Sequence, residues 1–264
     1  MLRPFVKDIV FQSYAGVRSA WRRSTRPGTQ ISILLYHRVN DELRDSVTVG
    51  IQQFDEQMKW VSRHYDVCTI DDVINGVVRS SKRPVVSVTF DDGYLDNYTN
   101  AAPILRSHRV PCAFFVSTGI VGTSRAFPHD LEKLGRRVPA MTWDHVQELH
   151  AQGFTIGSHT VSHINLATAS DEEALQELTE SRNTLVKVLG LNRVAIAYPF
   201  GKRTDISSPR IAMIRDTGYS ACFSGYGGVN WKESLDVYDL KRTNVDYRFT
   251  ISALRARIEG WSSG

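Results

Sequence analysis

The chain has little cysteine: Cys68, Cys112 and Cys222 are its only thiols in 264 residues. They lie far apart, show no metal-ligand spacing and cannot all pair. The expectation is therefore small buried hydrophobes in a reducing compartment, not a disulfide framework. Long apolar runs are missing as well. No stretch approaches the roughly 18 residues of a membrane-spanning helix, and Lys7, Asp8 and Gln12 interrupt the apolar core that a secretory signal needs. Internal repeats and low-complexity tracts are absent, which argues against a solenoid. Histidine is missing from the last hundred residues, since all eight lie at or before His163. What is present is an ordinary soluble composition, 42% hydrophobic and 23% charged, enough for one large α/β domain with a real core.

The net charge of +4 is unevenly distributed. Residues 1–30 carry Arg3, Lys7, Arg18, Arg22, Arg23 and Arg26 against Asp8 alone, whereas the remaining 26 basic and 27 acidic residues nearly cancel. A neutral main body argues against a nucleic-acid groove. Leu2, Phe5, Val6, Ile9, Val10, Tyr14, Val17 and Trp21 recur in steps of three and four, tracing one face of a helix. This basic amphipathic arm, residues 1–30, has two readings. Either it packs on the surface of its own domain, or residues 1–26 lie on an anionic inner membrane leaflet.

From residue 31 onward, apolar β-branched runs alternate with helical periodicities. Strands are expected at 31–36, 67–69, 85–90, 112–116, 154–156, 194–197 and 219–223. Helices are expected at 51–65, 70–79, 97–108, 143–152, 171–189 and 208–217. Strict alternation implies a parallel sheet, and the count implies an α/β fold of distorted (β/α)7-barrel type, one domain over 31–264. The basic segment 119–139 reads as a loop, either over the mouth of the site or as a solvated insertion.

Two motifs carry chemistry. Thr89-Phe90-Asp91-Asp92-Gly93-Tyr94 places adjacent carboxylates where an apolar run stops. Ser158-His159-Thr160-Val161-Ser162-His163 places two imidazoles four residues apart, after a segment ending Ile156-Gly157. Two His and one Asp suit a divalent ion that keeps an open coordination position, and such sites activate water. The second Asp is then free to act as a base. If the His pair shares a helical turn, its Cβ atoms lie roughly 5–6 Å apart.

Together and in order, these motifs resemble the first two of the polysaccharide deacetylases, carbohydrate esterase family four, over about residues 31–245. The resemblance implies that Asp91 is the catalytic base and that Asp92, His159 and His163 hold the ion; spacing alone does not separate the two carboxylates. Zinc suits this donor set, and cobalt, nickel, manganese or iron fit it too. Ala197-Tyr198-Pro199-Phe200-Gly201 resembles the third motif, which implies that the Phe200 N–H stabilises an oxyanion. Tyr94, Tyr198 and Pro199 are the expected substrate contacts. Two departures stand out. Many relatives have an arginine at the place of Ala197 that orients the base; Arg242 is the candidate substitute. Many also have a late histidine as proton donor, absent here. His37, in Leu35-Tyr36-His37-Arg38, resembles the early histidine of the exopolysaccharide, poly-N-acetylglucosamine branch, which takes over that role.

The activity implied is metal-dependent removal of N-acetyl groups from an N-acetylated glycan, an exopolysaccharide or its lipid-linked precursor. Peptidoglycan and chitin oligomers are competing substrates. A carbohydrate-binding protein that kept the fold and lost catalysis is the competing class. With no export signal read from the sequence, a cytoplasmic enzyme is expected, held at the inner membrane if the arm binds lipid.

Overall fold

The computed structural model of the chain describes residues 4–25, 28–79, 81 and 83–261. At its centre run seven parallel strands: β1 (Gln30–Tyr36), β2 (Val85–Phe90), β3 (Cys112–Val116), β4 (Thr155–Ser158), β5 (Ile196–Ala197), β6 (Cys222–Phe223) and β7 (Arg242–Asn244). Strands β1 to β6 neighbour one another in chain order. Strand β7 returns to β1, pairing Arg242 with Ile33 and Asn244 with Leu35. Just ahead of it, a parallel bridge joins Leu240 to Phe223 of β6. The sheet thus closes into the expected distorted seven-stranded barrel.

Closure explains the mainly apolar character of β1, β2 and β3, which are buried along their whole lengths. Alternate residues serve two cores. Ile31, Ile33, Val85, Ala113, Phe115, Ala195, Ala197, Ala221 and Phe223 fill the barrel interior. Leu34, Tyr36, Val86, Val88, Phe90, Phe114 and Val116 face the surrounding helices. The interior is mostly small residues around two rings, Phe115 and Phe223, 5.0 Å apart. Gly157 on β4 makes room for the first: a Cβ there would lie 2.4 Å from Phe115 Cδ1.

The helices are α1 (Pro4–Thr25), α2 (Ile51–His64), α3 (Ile70–Ile74), α4 (Ala102–Ser107), α5 (Pro128–Leu134), α6 (Trp143–Ala151), α7 (Asp171–Leu189), α8 (Ser208–Asp216) and α9 (Ile251–Ile258). Most follow the sequence periodicity, with α7 matching it at both ends. Its start is set by Ser170, whose side chain accepts from the Glu173 N–H, and its end by Gly190 in the left-handed region. Several regions differ from expectation: the strand expected at 67–69 is the two-residue Asp66–Val67, which flanks β2 outside the seven, and the helix expected over 70–79 stops at Ile74. The helix expected to start at residue 97 opens as a π-helical turn, Asn97–Ala101. The 119–139 segment is not all loop: it contains α5, anchored by buried Phe127 and Asp130. Helix α9 was not anticipated; its apolar residues Ala253, Leu254, Ala256 and Ile258 are buried.

Helix α1 docks on α9. Phe11 and Tyr14 meet the Trp261 ring edge-on at 5.7 and 4.7 Å, and Ala15 is buried. Thr250 Oγ1 donates to Asp8, and Gln12 donates to Ser252 Oγ. Of the two readings of the arm, packing on the domain is the one these contacts display. Ile9, Val10 and Val17 remain exposed on its outer side. Leu2, Arg3 and Arg26, with the side chains of Phe5, Val6, Arg18, Trp21, Arg22 and Arg23, lie outside the described residues. Among the described residues no helix is long and apolar enough to cross a membrane, and the three cysteines are free.

Candidate active site

The C-terminal ends of the parallel strands open on one mouth, where this architecture places its chemistry. Residues 85, 87, 89 and 91 share the inward face of β2 and its extension, so Asp91 is delivered into the barrel mouth. Strand alternation would send the next side chain the opposite way. The chain breaks it by turning left-handed at Asp92 (φ 76°) and at Gly93 (φ 92°). Both carboxylates end 2% exposed. Thr160, His163 and Phe200 are also non-glycine residues at positive φ (63°, 61° and 65°). Backbone strain is therefore concentrated around this mouth, where the surrounding fold must hold it.

The imidazoles of His159 and His163 converge on Asp92, their Nε2 atoms 3.4 and 3.2 Å from Asp92 Oδ1. One donor atom from each of the three residues lies within 4.8 Å of the others. They do not share a helical turn, as spacing suggested; they sit on an irregular loop after β4. His159 Nδ1 donates to the Ala197 carbonyl at 2.6 Å, so Nε2 presents its lone pair to Asp92. Burial pushes the His159 pKa down to about 4, which keeps the ring neutral near pH 7. Burial opposes ionisation of Asp92, but His163, His37 and His159 outweigh it and hold the carboxyl well below its usual range. Asp92 Oδ1 has no hydrogen-bond partner although it is buried. A buried anion facing a neutral nitrogen, with no proton between them, lacks a cation; the donor set fits a divalent ion.

Asp91 is held differently. Arg242 Nη1 and Nη2 donate to its two oxygens at 2.7 and 2.6 Å. The guanidinium is fully buried, donates through Nε to the Ser224 carbonyl, and lies over the Phe115 and Phe223 rings at 5.4 and 5.8 Å. Burial alone would raise the Asp91 carboxyl; Arg242, then His159 and His37, more than offset it and keep the group below the usual carboxylate range. The alanine at 197 leaves the interior open to a guanidinium arriving from β7. His37 follows β1, with its carbonyl accepting from Asn97 Nδ2 at 2.6 Å and its buried Nδ1 unpartnered. Burial lowers its pKa below the usual imidazole value, and the opposing pull of Asp92 and Asp91 only partly offsets this. Phe200 sits at the rim, 53% exposed, its ring 5.0 Å from that of His163.

The remaining expected contacts are not brought to the mouth. Tyr94 is fully buried and donates to Asp130 Oδ2. Tyr198 is 2% exposed with its hydroxyl on the Gly201 and Lys202 carbonyls, and Pro199 beside it is buried. All three shape the walls and the turn that carries Phe200. Sequence reasoning missed a second polar network. Arg38 Nη1 donates to Asp130 Oδ1 at 2.9 Å, and His129 Nε2 lies 2.9 Å from the Tyr94 hydroxyl. The His129 ring is 4.9 Å from that of His163. Helix α5 thus folds the 119–139 segment against the loop that carries His159 and His163. No spacing signal could have announced it, because the partners are 92 residues apart in the case of Arg38 and Asp130.

Comparison with known proteins agrees with this geometry. The model of the polysaccharide deacetylase family matches residues 79–222, a little over half of the chain. The Bacillus subtilis (strain 168) protein YxkH, which carries a polysaccharide deacetylase name, is 26% identical over 97% of this chain and 86% of its own length. A poly-β-1,6-N-acetyl-D-glucosamine N-deacetylase of Staphylococcus aureus (strain MRSA252) is 28% identical over 67% of this chain, a match spanning 61% of that enzyme. Among solved structures, the Streptococcus pyogenes deacetylase PplD in complex with acetate superposes with a TM-score of 0.73 at 23% identity, covering 88% of this chain and 99% of that one. On the family match, and on a barrel mouth built as described, the chain belongs to the polysaccharide deacetylase family.

Proposed function

We propose that this protein is a metal-dependent hydrolase that removes N-acetyl groups from an N-acetylglucosamine-containing glycan, an exopolysaccharide or its lipid-linked precursor. The observation that carries the reading is the pairing at the mouth. Asp92 Oδ1 is orphaned between two imidazoles, and beside it Asp91 is kept anionic by a bidentate guanidinium. Asp92, His159 and His163 would hold the ion, zinc being the best match to two imidazole nitrogens and a carboxylate. A divalent ion there supplies Lewis acidity, polarising an acetamide carbonyl and making water acidic enough to attack.

The chain's own groups do the rest. Asp91 accepts a proton from the attacking water as the C–O bond forms. Arg242 holds the Asp91 carboxylate in one orientation. The Phe200 N–H, fixed by a left-handed turn at the rim, donates to the developing oxyanion. His37 gives its proton to the sugar nitrogen as the C–N bond breaks, leaving acetate and a free amine. A sugar-binding protein without catalysis has no use for a carboxylate so held. The exposed Ile9, Val10 and Val17 on α1, with the positive charge of residues 1–30, suit an anionic lipid surface as a further partner.

The test is mass spectrometry of β-1,6- and β-1,4-linked N-acetylglucosamine oligomers after incubation with zinc-loaded protein. Loss of acetyl groups, greater on the β-1,6 series, is expected; unchanged masses on both would contradict the reading. His37→Ala separates proton donation from packing. It should bind metal normally and lose most turnover on acetamides, yet lose far less on nitrophenyl acetate, whose leaving group departs without a proton. Equal losses with structure intact would remove His37 from the donor role.

A further inference from the structure

The loop between the two histidine ligands has an unusual support. Val161 N–H and Ser162 N–H both donate to Glu177 Oε2, at 2.7 and 2.9 Å, and Ser162 Oγ donates to Glu177 Oε1 at 2.5 Å. Glu177 lies on α7, one turn before Ser181, which donates through Oγ to the Thr160 carbonyl at 3.1 Å. Ser181 Oγ in turn lies 2.8 Å from Ser158 Oγ, on which the Tyr219 hydroxyl also bears at 2.9 Å. The backbone of residues 160–162 is thereby tied both to α7 and to the β3 loop, the latter through Thr118 N–H to Thr160 O and Gly119 N–H to Val161 O.

This support falls where strain is stored. Thr160 and His163 flank the two supported N–H groups, and both are left-handed. A Thr and a His in that conformation relax unless something over-determines them. Two successive N–H groups pointing the same way form a small cradle of positive potential, and the Glu177 carboxylate satisfies both at once.

We propose that Glu177 is a positioning residue for the metal centre: by clamping residues 161–162 it fixes His163 in its strained, ion-ready orientation and so sets ion affinity. It touches neither substrate nor ion. The inference rests on the reading of Asp92, His159 and His163 as the metal site. Glutamine at 177 keeps the length, a carbonyl acceptor for the two N–H groups and an N–H₂ that the Ser162 hydroxyl can accept, but it removes the negative charge facing the cradle. Alanine removes the clamp entirely.

The experiment is titration of the metal-free protein with Zn²⁺ against a chromophoric chelator, with Co²⁺ visible absorption as a second readout of coordination. Glu177→Ala should weaken Zn²⁺ binding about 10–100-fold, the scale of lost support behind a metal ligand, and should change the Co²⁺ bands. Glu177→Gln should fall between it and the parent, and serves if the alanine variant does not fold. Glu180→Gln, on the same helix and exposed, should match the parent. Zn²⁺ affinity within about twofold of the parent for Glu177→Gln, with unchanged Co²⁺ bands, would overturn the proposal. A parent chain that takes up no ion would overturn the metal reading and the clamp together, and is distinguished because no variant is needed to see it.

Discussion

Arg242 shows how much of the site rests on single side chains. It is buried completely, spans β7 to β2, and places two hydrogen bonds on the carboxylate of Asp91. Its planar fork matches a carboxylate in a way that lysine's point charge does not. Arg242→Ala should cost about 3–5 kcal/mol of stability, because it strands a buried anion. Arg242→Lys should cost less stability but still lower kcat, with metal content retained. Denaturant titration and elemental analysis check both; an Arg242→Lys enzyme with parental kcat would show that orientation of Asp91 does not matter. His159 gives a pH prediction. Its pKa is about 4 in the folded chain against 6.5 for the free side chain. The unfolded chain therefore takes up a proton as pH falls through 6.5, while the folded one resists until about 4. Stability of the metal-free protein is full above this window and declines within it as pH falls, by on the order of 3 kcal/mol. His159→Gln should flatten that decline; equal slopes for both proteins would contradict the assignment.

Individual elements place these residues, and the strand before the histidine loop is the most tightly constrained. Gly157 of β4 has its Cα hydrogens against Phe115, and a Cβ would also lie 3.0 Å from the Ala195 carbonyl. Gly157→Ala should destabilise the protein by roughly 1–3 kcal/mol through overpacking, and should weaken metal binding by shifting His159 two residues on. Thermal unfolding with zinc titration tests this; a variant as stable as the parent would mean the interior yields more easily than its packing implies. The elements themselves were largely legible in the sequence. The runs at 31–36, 85–90 and 112–116 are mostly apolar because both faces of a barrel strand are buried, and the α7 periodicity is long and well capped. What was illegible depended on tertiary closure. Strands β5 and β6 are two residues each and exist because their neighbours complete them. The histidine pair reads as a helical turn at spacing four, yet left-handed residues at 160 and 163 have no signature in Thr or His. Arg242 was legible only as the substitute for an arginine missing at position 197, whereas Glu177 is one acid among several on α7 and nothing in its spacing singles it out.

At the scale of the whole molecule, α1 and α9 form a layer outside the barrel, joined through Phe11, Tyr14 and Trp261. The helix is two-sided: one side is engaged with α9, and Ile9, Val10 and Val17 face outward. Full-length protein should sediment with anionic vesicles and release as salt rises, since surface attraction is screened within about 8–10 Å. Deleting residues 1–26 should abolish sedimentation and leave activity on soluble oligomers. Precipitation of the truncated chain would show instead that covering Trp261 is the helix's main duty.

The proposed centre makes Asp91 the base beside an ion held by Asp92, His159 and His163. The most direct measurement is acetate released from a β-1,6-linked N-acetylglucosamine oligomer, read together with bound zinc, for the parent and Asp91→Asn. The parent should release acetate in step with new free amines, stop on chelation and recover on zinc addition. Asp91→Asn should bind the same one ion per chain while turnover falls by roughly 10²–10⁴-fold. Near-parental turnover in Asp91→Asn, or acetate release undiminished by complete removal of metal, would contradict the account.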